Sequence, residues 1–383
     1  MKHTLFILDY FHPFIGGIET LFDDVTQFCS EQNMKITVLT SRHRSDLKKI
    51  EKKSNVLIYR VGHNRFTILF SVLRFALQQR ELIRSVDHIH TSTFTSAIPA
   101  WIISKISNKP VTITIHEIYD TLRYHLKGRK AIFYILFEWI VCHLPWKKII
   151  TVSQSSKELI QQTYPKLNNG NISVMLNQID TNFWNREQVT ANQQDELKHA
   201  HTISVSDKLL LFVGRLGYEK GLPYLIEAFS EIKEEYPDTK LVLIAPRTKQ
   251  RYHHGIQYQI DTIDKQIKDN YLTQQVIRID PVENEEELRT WMSICHIGII
   301  PSMSEGFCYT AVQMQAMGLS LIASKVGALP EVLDHNTTLF IPYGKVQPLQ
   351  ETLRKVLDNS PSKKHVPIGS AIDYTNYYNL FHE

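Results

Sequence analysis

A single carboxylate stands on a glycine-marked loop within Pro301 to Gly318, which reads PSMSEGFCYTAVQMQAMG. The apolar run Ile297 to Ile300 before this loop predicts a buried strand, and Tyr309 to Met317 has the composition of a helix. Glu305 and Gly306 therefore fall on a strand-to-helix turn. Open α/β sheets bind their ligands at such turns.

This loop carries groups that suit a sugar phosphate. Glu305 could accept hydrogen bonds from sugar hydroxyls, and the first helical amides, at Tyr309 and Thr310, could donate to phosphate oxygens. A simpler alternative is that Glu305 only places a favourable negative charge at the start of a helix.

A second loop combines glycines with two cations. The predicted strand Leu209 to Val213 leads into Gly214, Arg215 and Lys220, and a helix follows. The two basic side chains, five positions apart on a flexible loop, could converge on a diphosphate. The alternative is that these are ordinary exposed basic residues that bind no ligand. Against it, this loop and the Glu305 loop both follow the carboxyl ends of strands predicted for the same sheet.

Two features of the first half could contribute to the same chemistry. Gly16 and Gly17 lie between the first predicted strand and an amphipathic helix, where backbone amides can approach an anion. An ordinary turn explains this pair about as well. His116 follows the strand Val111 to Ile115 and could donate to a substrate hydroxyl, although chance placement is easy in a chain with 17 histidines.

Several other kinds of site are not indicated by the sequence. It has no HExxH motif, no Walker-type Gly-Lys-Ser/Thr loop and no Ser/His/Asp order. Its four widely spaced cysteines form no zinc pattern and fit a reducing compartment. We therefore expect no metal and no bound cofactor.

The order of elements predicts an α/β protein with two doubly wound parallel sheets. The 383 residues fit two domains, and strand-length apolar runs alternate with amphipathic helical segments from one end to the other. The polar stretch Asn185 to Asp207 is typical of a linker or of a helix that leads to one, and it marks the break between them. We predict domains at residues 1–185 and 207–360, a linker at 186–206 and a tail helix within 361–383. The predicted strands are Thr4–Leu8, Ile36–Leu39, Val56–Arg60, His88–His90, Val111–Ile115, Ile149–Val152, Ile172–Met175, Leu209–Val213, Leu241–Ala245, Val276–Ile279, Ile297–Ile300 and Leu321–Ala323.

Charge is distributed unevenly over the two halves. Residues 1–190 hold 24 Lys and Arg against 15 Asp and Glu, whereas the remainder holds 19 against 24. A basic first half could favour an anionic partner such as a lipid surface or a nucleic acid, or it could be ordinary solvated charge. Two segments, Arg65 to Arg84 and Lys127 to Lys148, mix cations with large apolar residues in a way that suits a membrane surface or a buried amphipathic helix. No secretory signal or membrane-spanning run is recognisable, so we expect a cytoplasmic protein.

Taken together, these motifs resemble the retaining glycosyltransferases of family 4. The resemblance covers almost the whole chain, and six motifs occur in the family's order. The matching segments are FHPFIGGIE (Phe11–Glu19), DHIHTST (Asp87–Thr93), TITIHE (Thr112–Glu117), GRLGYEKG (Gly214–Gly221), SEGFCYTAVQMQAMG (Ser304–Gly318) and GALPEV (Gly327–Val332). A seventh segment, SVMLNQIDTNFW, is similar to the family's Asn-Gly-Val-Asp segment near the crossover, but Gln178 replaces the glycine.

The resemblance implies a GT-B fold, in which two Rossmann-like domains face each other across a donor cleft and a C-terminal helix crosses back to the first domain. It further implies transfer of a sugar from a UDP- or GDP-sugar to a hydroxyl of a glycan or a lipid-linked acceptor, without metal. The expected partners are the sugar nucleotide, that acceptor and an anionic membrane surface at which the protein could be peripheral; no nucleic acid is expected.

The resemblance also assigns roles to residues. Arg215 and Lys220 would bind the diphosphate, Glu305 the donor sugar, and His116 would line the sugar site from the first domain. The remaining donor-binding positions are Gly16, Gly17, Gly214, Gly306, Phe307, Cys308, Tyr309, Thr310 and Gln313.

One departure from the family pattern concerns donor affinity. The family places a second glutamate eight positions after the first, near the donor ribose, and this chain has Gln313 there. Replacing a charge-assisted hydrogen bond by a neutral one costs on the order of 1 kcal/mol, which predicts weaker donor binding with intact chemistry. Two alternatives remain: a sugar-nucleotide-binding protein without transfer activity, and a sugar-nucleotide epimerase of the same fold.

Overall fold

The computed structural model describes residues 1–14, 16–64, 67–118, 131–167, 170–247, 257–282, 284–359 and 373–382. The chain forms two compact units. The first holds Met1–Gln178 together with Ile372–Glu383, and the second holds Ile179–Ala371. Parts of three predicted segments lie outside the described residues: 65–66 and 127–130 of the two basic segments, and 361–372 and 383 of the tail.

Strands and helices alternate in both units. The strands are β1 (His3–Ile7), β2 (Lys35–Thr40), β3 (Ile50–Lys53), β4 (Val56–Arg60), β5 (His88–Ser92), β6 (Val111–Ile115), β7 (Lys148–Thr151), β8 (Ile172–Val174), β9 (Lys208–Val213), β10 (Thr239–Ile244), β11 (Val276–Ile279), β12 (Ile297–Ile300), β13 (Ser320–Ser324) and β14 (Thr338–Ile341). The helices are α1 (Gly17–Glu31), α2 (Ile68–Gln78), α3 (Arg80–Ser85), α4 (Ala97–Ser107), α5 (Ala131–His143), α6 (Gln154–Thr163), α7 (Ala191–Ala200), α8 (Leu222–Ile232), α9 (Gln257–Asp269), α10 (Glu285–Ile294), α11 (Tyr309–Ala316), α12 (Leu329–Val332), α13 (Val346–Asp358) and α14 (Thr375–His382).

Each unit is built on one sheet of the doubly wound type. Within the described residues, the first sheet has the strand order β3-β4-β2-β1-β5-β6-β7-β8 and the second β11-β10-β9-β12-β13-β14. All pairs are parallel except β3 with β4. The predicted fold class of two doubly wound parallel-sheet units is confirmed. Buried parallel strands have continuous apolar sequences, so the alternation of strands with amphipathic helices was visible in the sequence.

Two strands escaped prediction, and both lie at a sheet edge. β3 has the sequence IEKK and pairs antiparallel with β4 at one edge of the first sheet, while β14 closes one edge of the second. An edge strand has a neighbour on one side only and often carries charges, and β3 accordingly lacks the apolar signature of a central strand. β14 has the short apolar sequence TLFI with two half-buried residues, so charge does not explain why it was missed.

The segment predicted as a linker contains regular structure. Helix α7 begins with a capping box in which Thr190 and Gln193 bond each other's backbone amides, and it falls within the second unit. Next to its end, the ring of His201 lies 4.8 Å from that of the buried Trp291 in α10. The polar sequence of residues 191–200 reflects a helix with much solvent exposure, not an unstructured connection.

The C-terminal helix α14 packs on the first unit through aromatic rings. Tyr377 and Phe381 are buried, and the Phe381 ring lies 5.3 Å from the ring of Phe6 in β1. The side chain of Gln178 anchors the entry to this helix, because its amide donates to the carbonyl of Asp373 (2.7 Å) and accepts from the Asp373 N–H (2.6 Å). A glycine at position 178 could form neither bond.

Beneath α14 the sheet carries a buried layer of histidines and threonines. Thr112 Oγ1 lies between His88 Nε2 (2.9 Å) and His90 Nδ1 (2.7 Å), and His90 Nε2 contacts Thr114 Oγ1 at 3.0 Å. Burial lowers the pKa of His88 to about 3 and holds the pKa of His90 well below its ordinary value. Both imidazoles are therefore neutral in the folded chain at physiological pH.

These histidines should make the fold sensitive to acid. Because their pKa values are lowered by folding, the unfolded chain binds more protons below about pH 6.5, and stability present above that pH is lost as the pH falls. We expect the free energy of unfolding to fall by about 1 kcal/mol per pH unit for each histidine between about pH 6 and pH 5, measured by urea denaturation. His90→Gln should show a shallower dependence, and identical slopes for the variant and the wild type would contradict this assignment.

Candidate functional site

The second sheet reverses its strand order between β9 and β12. From β9 the chain proceeds outward to β10 and β11, then returns to β12 on the other side of β9. The loops that leave the carboxyl ends of β9 and β12 are consequently neighbours. Ligands of open α/β sheets bind at this kind of topological switch point.

Gly221 lets the two loops approach each other. It follows the turn Tyr218–Lys220, adopts a left-handed φ of 69°, and precedes α8. A Cβ atom at this position would stand 1.9 Å from the carbonyl oxygen of Pro301. Only glycine accommodates both this φ and this contact.

Backbone and side-chain bonds then join the loops. The Met303 N–H donates to the carbonyl of Glu219 at 2.7 Å, which connects the loop after β12 to the loop after β9. The loop after β13 joins them, because the Ala328 N–H donates to the Glu305 carbonyl at 2.9 Å and Gly327 passes so close that a Cβ would lie 2.2 Å from that oxygen. The loops after three strands that are neighbours in the sheet, β9, β12 and β13, thus support the segment that carries Glu305.

A buried ion pair lies at the centre of this segment. Lys220 Nζ lies 2.7 Å from Glu305 Oε1, and Ser302 Oγ donates to the same oxygen at 2.7 Å. The side chains of Lys220 and Glu305 are 20% and 8% exposed. Burial lowers the pKa of Lys220, but the adjacent Glu305 carboxylate more than offsets this, so the pKa lies above its ordinary value and the ammonium is charged at neutral pH.

Helix α11 begins directly beside the ion pair. Its N-cap residue, Cys308, adopts a left-handed φ of 74°, and burial together with the Glu305 carboxylate raises the pKa of the Cys308 thiol, which stays protonated. Tyr309 and Thr310 form the first turn of this helix, where the N–H groups point away from the helix body. Together with Lys220 they place hydrogen-bond donors where an anion can be bound.

The remaining predicted residues of this loop line the same region. Phe307 is buried with its ring 5.1 Å from that of Tyr309, and Gly306 lies between Glu305 and this ring pair. Gln313, one turn into α11, is buried, and among the described residues its amide has no hydrogen-bond partner in the protein.

Arg215 has a different environment from Lys220. It follows Gly214 at the end of β9, its side chain is 71% exposed, and its Nη2 lies 3.5 Å from Glu219 Oε1. This weak surface contact leaves the guanidinium free to reorient toward a bound anion. The structure thus unites Lys220, Glu305 and the start of α11 and places Arg215 on the same loop as Lys220.

The other predicted residues belong to the first unit. His116 follows β6, and its ring meets that of Phe22 in α1 at 5.7 Å. Its Nε2 is buried without a hydrogen-bond partner among the described residues, and burial lowers its pKa to about 3. Gly16 is the N-cap of α1 and Gly17 its first residue. His116 is thus a neutral imidazole beside the helix that Gly16 and Gly17 begin.

Sequence reasoning missed Asp9 in the loop after β1. Its carboxylate accepts from the backbone N–H of Ser96 (2.7 Å) and from Thr95 Oγ1 (2.5 Å), so it joins the loops after β1 and β5. These two strands are adjacent where the order of the first sheet reverses. The signal was present, because Asp9 directly follows the apolar run of the first predicted strand.

Among the residues that the structure describes, no three or more His, Cys, Asp or Glu side chains are grouped so that they could hold a metal ion. Positive charge at the described site comes from Lys220 and Arg215.

Two family models match the chain in adjacent blocks. Residues 15–183 match the model described as Glycosyltransferase Family 4, and residues 193–370 match the model described as Glycosyl transferases group 1. The chain belongs to glycosyltransferase family 4. The resemblance inferred from the six motifs is confirmed.

Family 4 relatives extend over most of the chain. An uncharacterized glycosyltransferase of Methanocaldococcus jannaschii is 25% identical over 90% of this chain and 86% of its own length. One subunit of the human phosphatidylinositol N-acetylglucosaminyltransferase is 23% identical over 92% of this chain and 67% of its own length.

Solved glycosyltransferases share the fold. Sucrose-phosphate synthase from Thermosynechococcus elongatus superposes with a TM-score of 0.79, at 16% identity over 94% of this chain and 91% of that one. Anabaena HepE in complex with UDP-glucose gives 0.71, at 16% identity and the same coverage of each chain. The predicted GT-B class is confirmed for this family 4 glycosyltransferase.

The loop junction of the family 4 glycosyltransferase can be tested through its glycines. Gly221→Ala should destabilise the second unit by at least about 3 kcal/mol, because it combines left-handed strain with a clash against the Pro301 carbonyl. The control is Gly214→Ala, whose Cβ would meet the Phe212 ring at 3.4 Å, an ordinary contact, and which should cost less than about 1 kcal/mol. Urea denaturation checks both, and equal losses would refute the proposed junction.

Proposed function

We propose that this family 4 glycosyltransferase transfers a hexosyl or N-acetylhexosaminyl unit from a UDP- or GDP-sugar to an acceptor hydroxyl, with retention of the anomeric configuration. The observation that carries the proposal is the buried Lys220–Glu305 pair at the start of α11, at the switch point of the second sheet. It sets a cation and helix amides beside a carboxylate, which matches a donor that is anionic at its diphosphate and rich in hydroxyls at its sugar.

The cations act on the diphosphate. An ammonium has three N–H donors, and Glu305 takes one of those of Lys220, so the others can serve phosphate oxygens. Arg215 adds an exposed guanidinium that can bind two oxygens at once. A buried cation that is fixed before the reaction stabilises growing negative charge without reorganisation, by about 3 to 4 kcal/mol for a well-aimed donor.

The reaction needs few groups from the protein. The bond between the anomeric carbon and the diphosphate oxygen breaks, and the acceptor oxygen bonds to that carbon from the same face. The acceptor proton passes to the departing phosphate oxygen, so retention requires no protein nucleophile. Glu305 would hold sugar hydroxyls during this step. The neutral imidazole of His116, in the first unit, can donate to or accept from a hydroxyl.

We further propose that transfer is independent of metal. A divalent cation commonly neutralises a departing diphosphate, and Lys220 with Arg215 and the first amides of α11 can supply that charge here. Gly16 and Gly17, at the start of α1 in the first unit, provide further amides for an anion.

For the acceptor we propose a glycan or a lipid-linked hydroxyl compound. The human relative is named for transfer to phosphatidylinositol, and it aligns with 92% of this chain. A lipid-linked acceptor would place the protein at the cytoplasmic face of a membrane, with an anionic surface as partner.

The two alternative functions can be separated from transfer by their products. A protein that only binds a sugar nucleotide, or one that epimerises it, would yield no glycosylated product. We would incubate the protein with UDP- and GDP-sugars and follow donor binding, slow hydrolysis and the released sugar by NMR. The proposal requires that the sugar product has the same anomeric configuration, α or β, as the sugar in the donor. An epimerised nucleotide, or binding without turnover, would contradict it.

Removal of either cation should abolish most turnover. We expect Arg215→Ala and Lys220→Ala to lower kcat at least about a hundredfold, because each removes a group that stabilises charge developing on the diphosphate. Arg215 is exposed, so its variant should keep the stability of the wild type. Turnover is measured with the donor found in the screen.

A matched ion pair controls for lost stability. Lys240 Nζ lies 2.7 Å from Asp207 Oδ2 in the same unit, with side chains 22% and 8% exposed, nearly the values of the Lys220–Glu305 pair. Lys240→Ala should cost similar stability and leave kcat within about twofold of wild type, since it lies outside the loops of the site. If Lys240→Ala lost as much turnover as Lys220→Ala, the loss in Lys220→Ala would be explained by reduced stability and not by a missing catalytic group.

Gln313 gives a gentler probe. Gln313→Glu should change donor affinity by about tenfold, because a carboxylate makes a stronger bond to a ribose hydroxyl than an amide does. Calorimetric titration with the nucleoside diphosphate measures the change, and NMR should show the same anomer as wild type. Unaltered affinity would place Gln313 away from the ribose.

A further inference from the structure

Helix α5 presents an apolar face to solvent. Ile132, Phe133, Leu136, Trp139 and Ile140 recur at helical spacing on its outer side, and we call these five side chains the α5 face. They are exposed by 57%, 73%, 55%, 48% and 37%. Soluble proteins rarely expose this many large apolar groups on one short helix without a binding partner.

The opposite side of α5 is anchored in the first unit. Val141 and Cys142 are buried in its hydrophobic core. Glu138, the acidic residue of the helix, is also turned inward and accepts a hydrogen bond from the Tyr164 hydroxyl at 3.1 Å. The α5 face is therefore not the packing side of the helix, and it carries no charged side chain.

The unit that carries the α5 face also exposes cations. Lys147 is exposed just beyond the end of the helix. On helices α2 and α3, which pack on the same core, Arg74, Arg80 and Arg84 are exposed as well. An apolar strip on a basic unit is complementary to a bilayer that carries anionic headgroups.

The aromatic residues of α5 suit a membrane boundary. Trp139 stacks on His143 with ring centroids 4.5 Å apart, and such amphipathic rings favour the level of the headgroups. The 13 residues of α5 are too few to cross a bilayer. Within the described residues, no helix of the chain is long and apolar enough to do so.

We propose that the α5 face lies in the interfacial plane of an anionic phospholipid bilayer and fixes the first unit to that surface. A second copy of the chain is the competing occupant, but pairing two α5 faces would bring two basic units together. The proposal adds a membrane contact to the lipid-linked acceptor of the proposed function. Only this link to the acceptor rests on the proposed function, because binding to a bilayer needs no sugar nucleotide.

Vesicle flotation of the full chain tests the proposal. Wild type should float with vesicles of equimolar phosphatidylglycerol and phosphatidylcholine at low salt, and at least about tenfold less with phosphatidylcholine alone. Phe133→Ser combined with Trp139→Ser should lower the bound fraction about tenfold or more. The matched control is Tyr258→Ser with Tyr271→Ser, two aromatic residues of the second unit that are 79% and 84% exposed; this variant should float like wild type.

Fluorescence locates the contact. Trp139 is the most exposed of the described tryptophans, so anionic vesicles should shift the emission of wild type to shorter wavelength. Trp139→Phe should still float, because the face stays apolar, but should lose most of that shift. A shift of wild-type size in this variant would place the bilayer elsewhere on the molecule.

Three results would overturn the proposal. They are no flotation of wild type, equal flotation of the α5 variant, and a dimer in light scattering that the α5 variant dissociates. Because no donor is present, a failure here leaves the transfer chemistry untouched, and a failure of the Lys220 and Arg215 experiments leaves the bilayer contact untouched.

Discussion

The organisation of the second unit depends on one buried ion pair. Lys220 and Glu305 come from loops that are 85 positions apart in the chain, and they meet because β9 and β12 are adjacent in the sheet. A buried charge without its partner is costly, so the pair requires both loops to hold their positions. Gly221 and Gly327 make this possible by letting the backbone of one loop pass against the backbone of another.

The first unit relies on a different constraint, the satisfaction of buried polar groups. His88, His90, Thr112 and Thr114 lie under the aromatic rings of α14 and bond to one another. Buried polar groups are tolerated when they are paired with each other, and the neutral state of the imidazoles removes the cost of a buried charge. Two hydrogen bonds between the Gln178 side chain and the Asp373 backbone then join the chain at residue 178 to α14, the helix that covers these histidines and threonines.

Two positions distinguish this site chemically from a site with two carboxylates. Cys308 occupies a left-handed backbone position that favours glycine, and its protonated thiol lies against Glu305. Gln313 contributes a neutral amide. The charged groups proposed to act on a diphosphate are nevertheless present, so Cys308 and Gln313 bear on how a donor would be held and leave the Lys220–Glu305 pair intact.

The sequence by itself determined the fold class, the order of most strands and the family, because buried parallel strands are apolar throughout and the glycine-marked loops keep a fixed order. It also placed Glu305 and Lys220 at the ends of strands in one sheet. Only the tertiary structure decided that these two side chains form a pair, that Asp9 joins two loops of the first unit, and that the polar stretch before the second sheet contains a helix at residues 191–200. The edge strand β3 and the outward direction of the α5 face were likewise beyond the sequence. The physical reason is that periodicity reports how much of an element is buried, whereas pairing and exposure depend on which distant elements pack beside it.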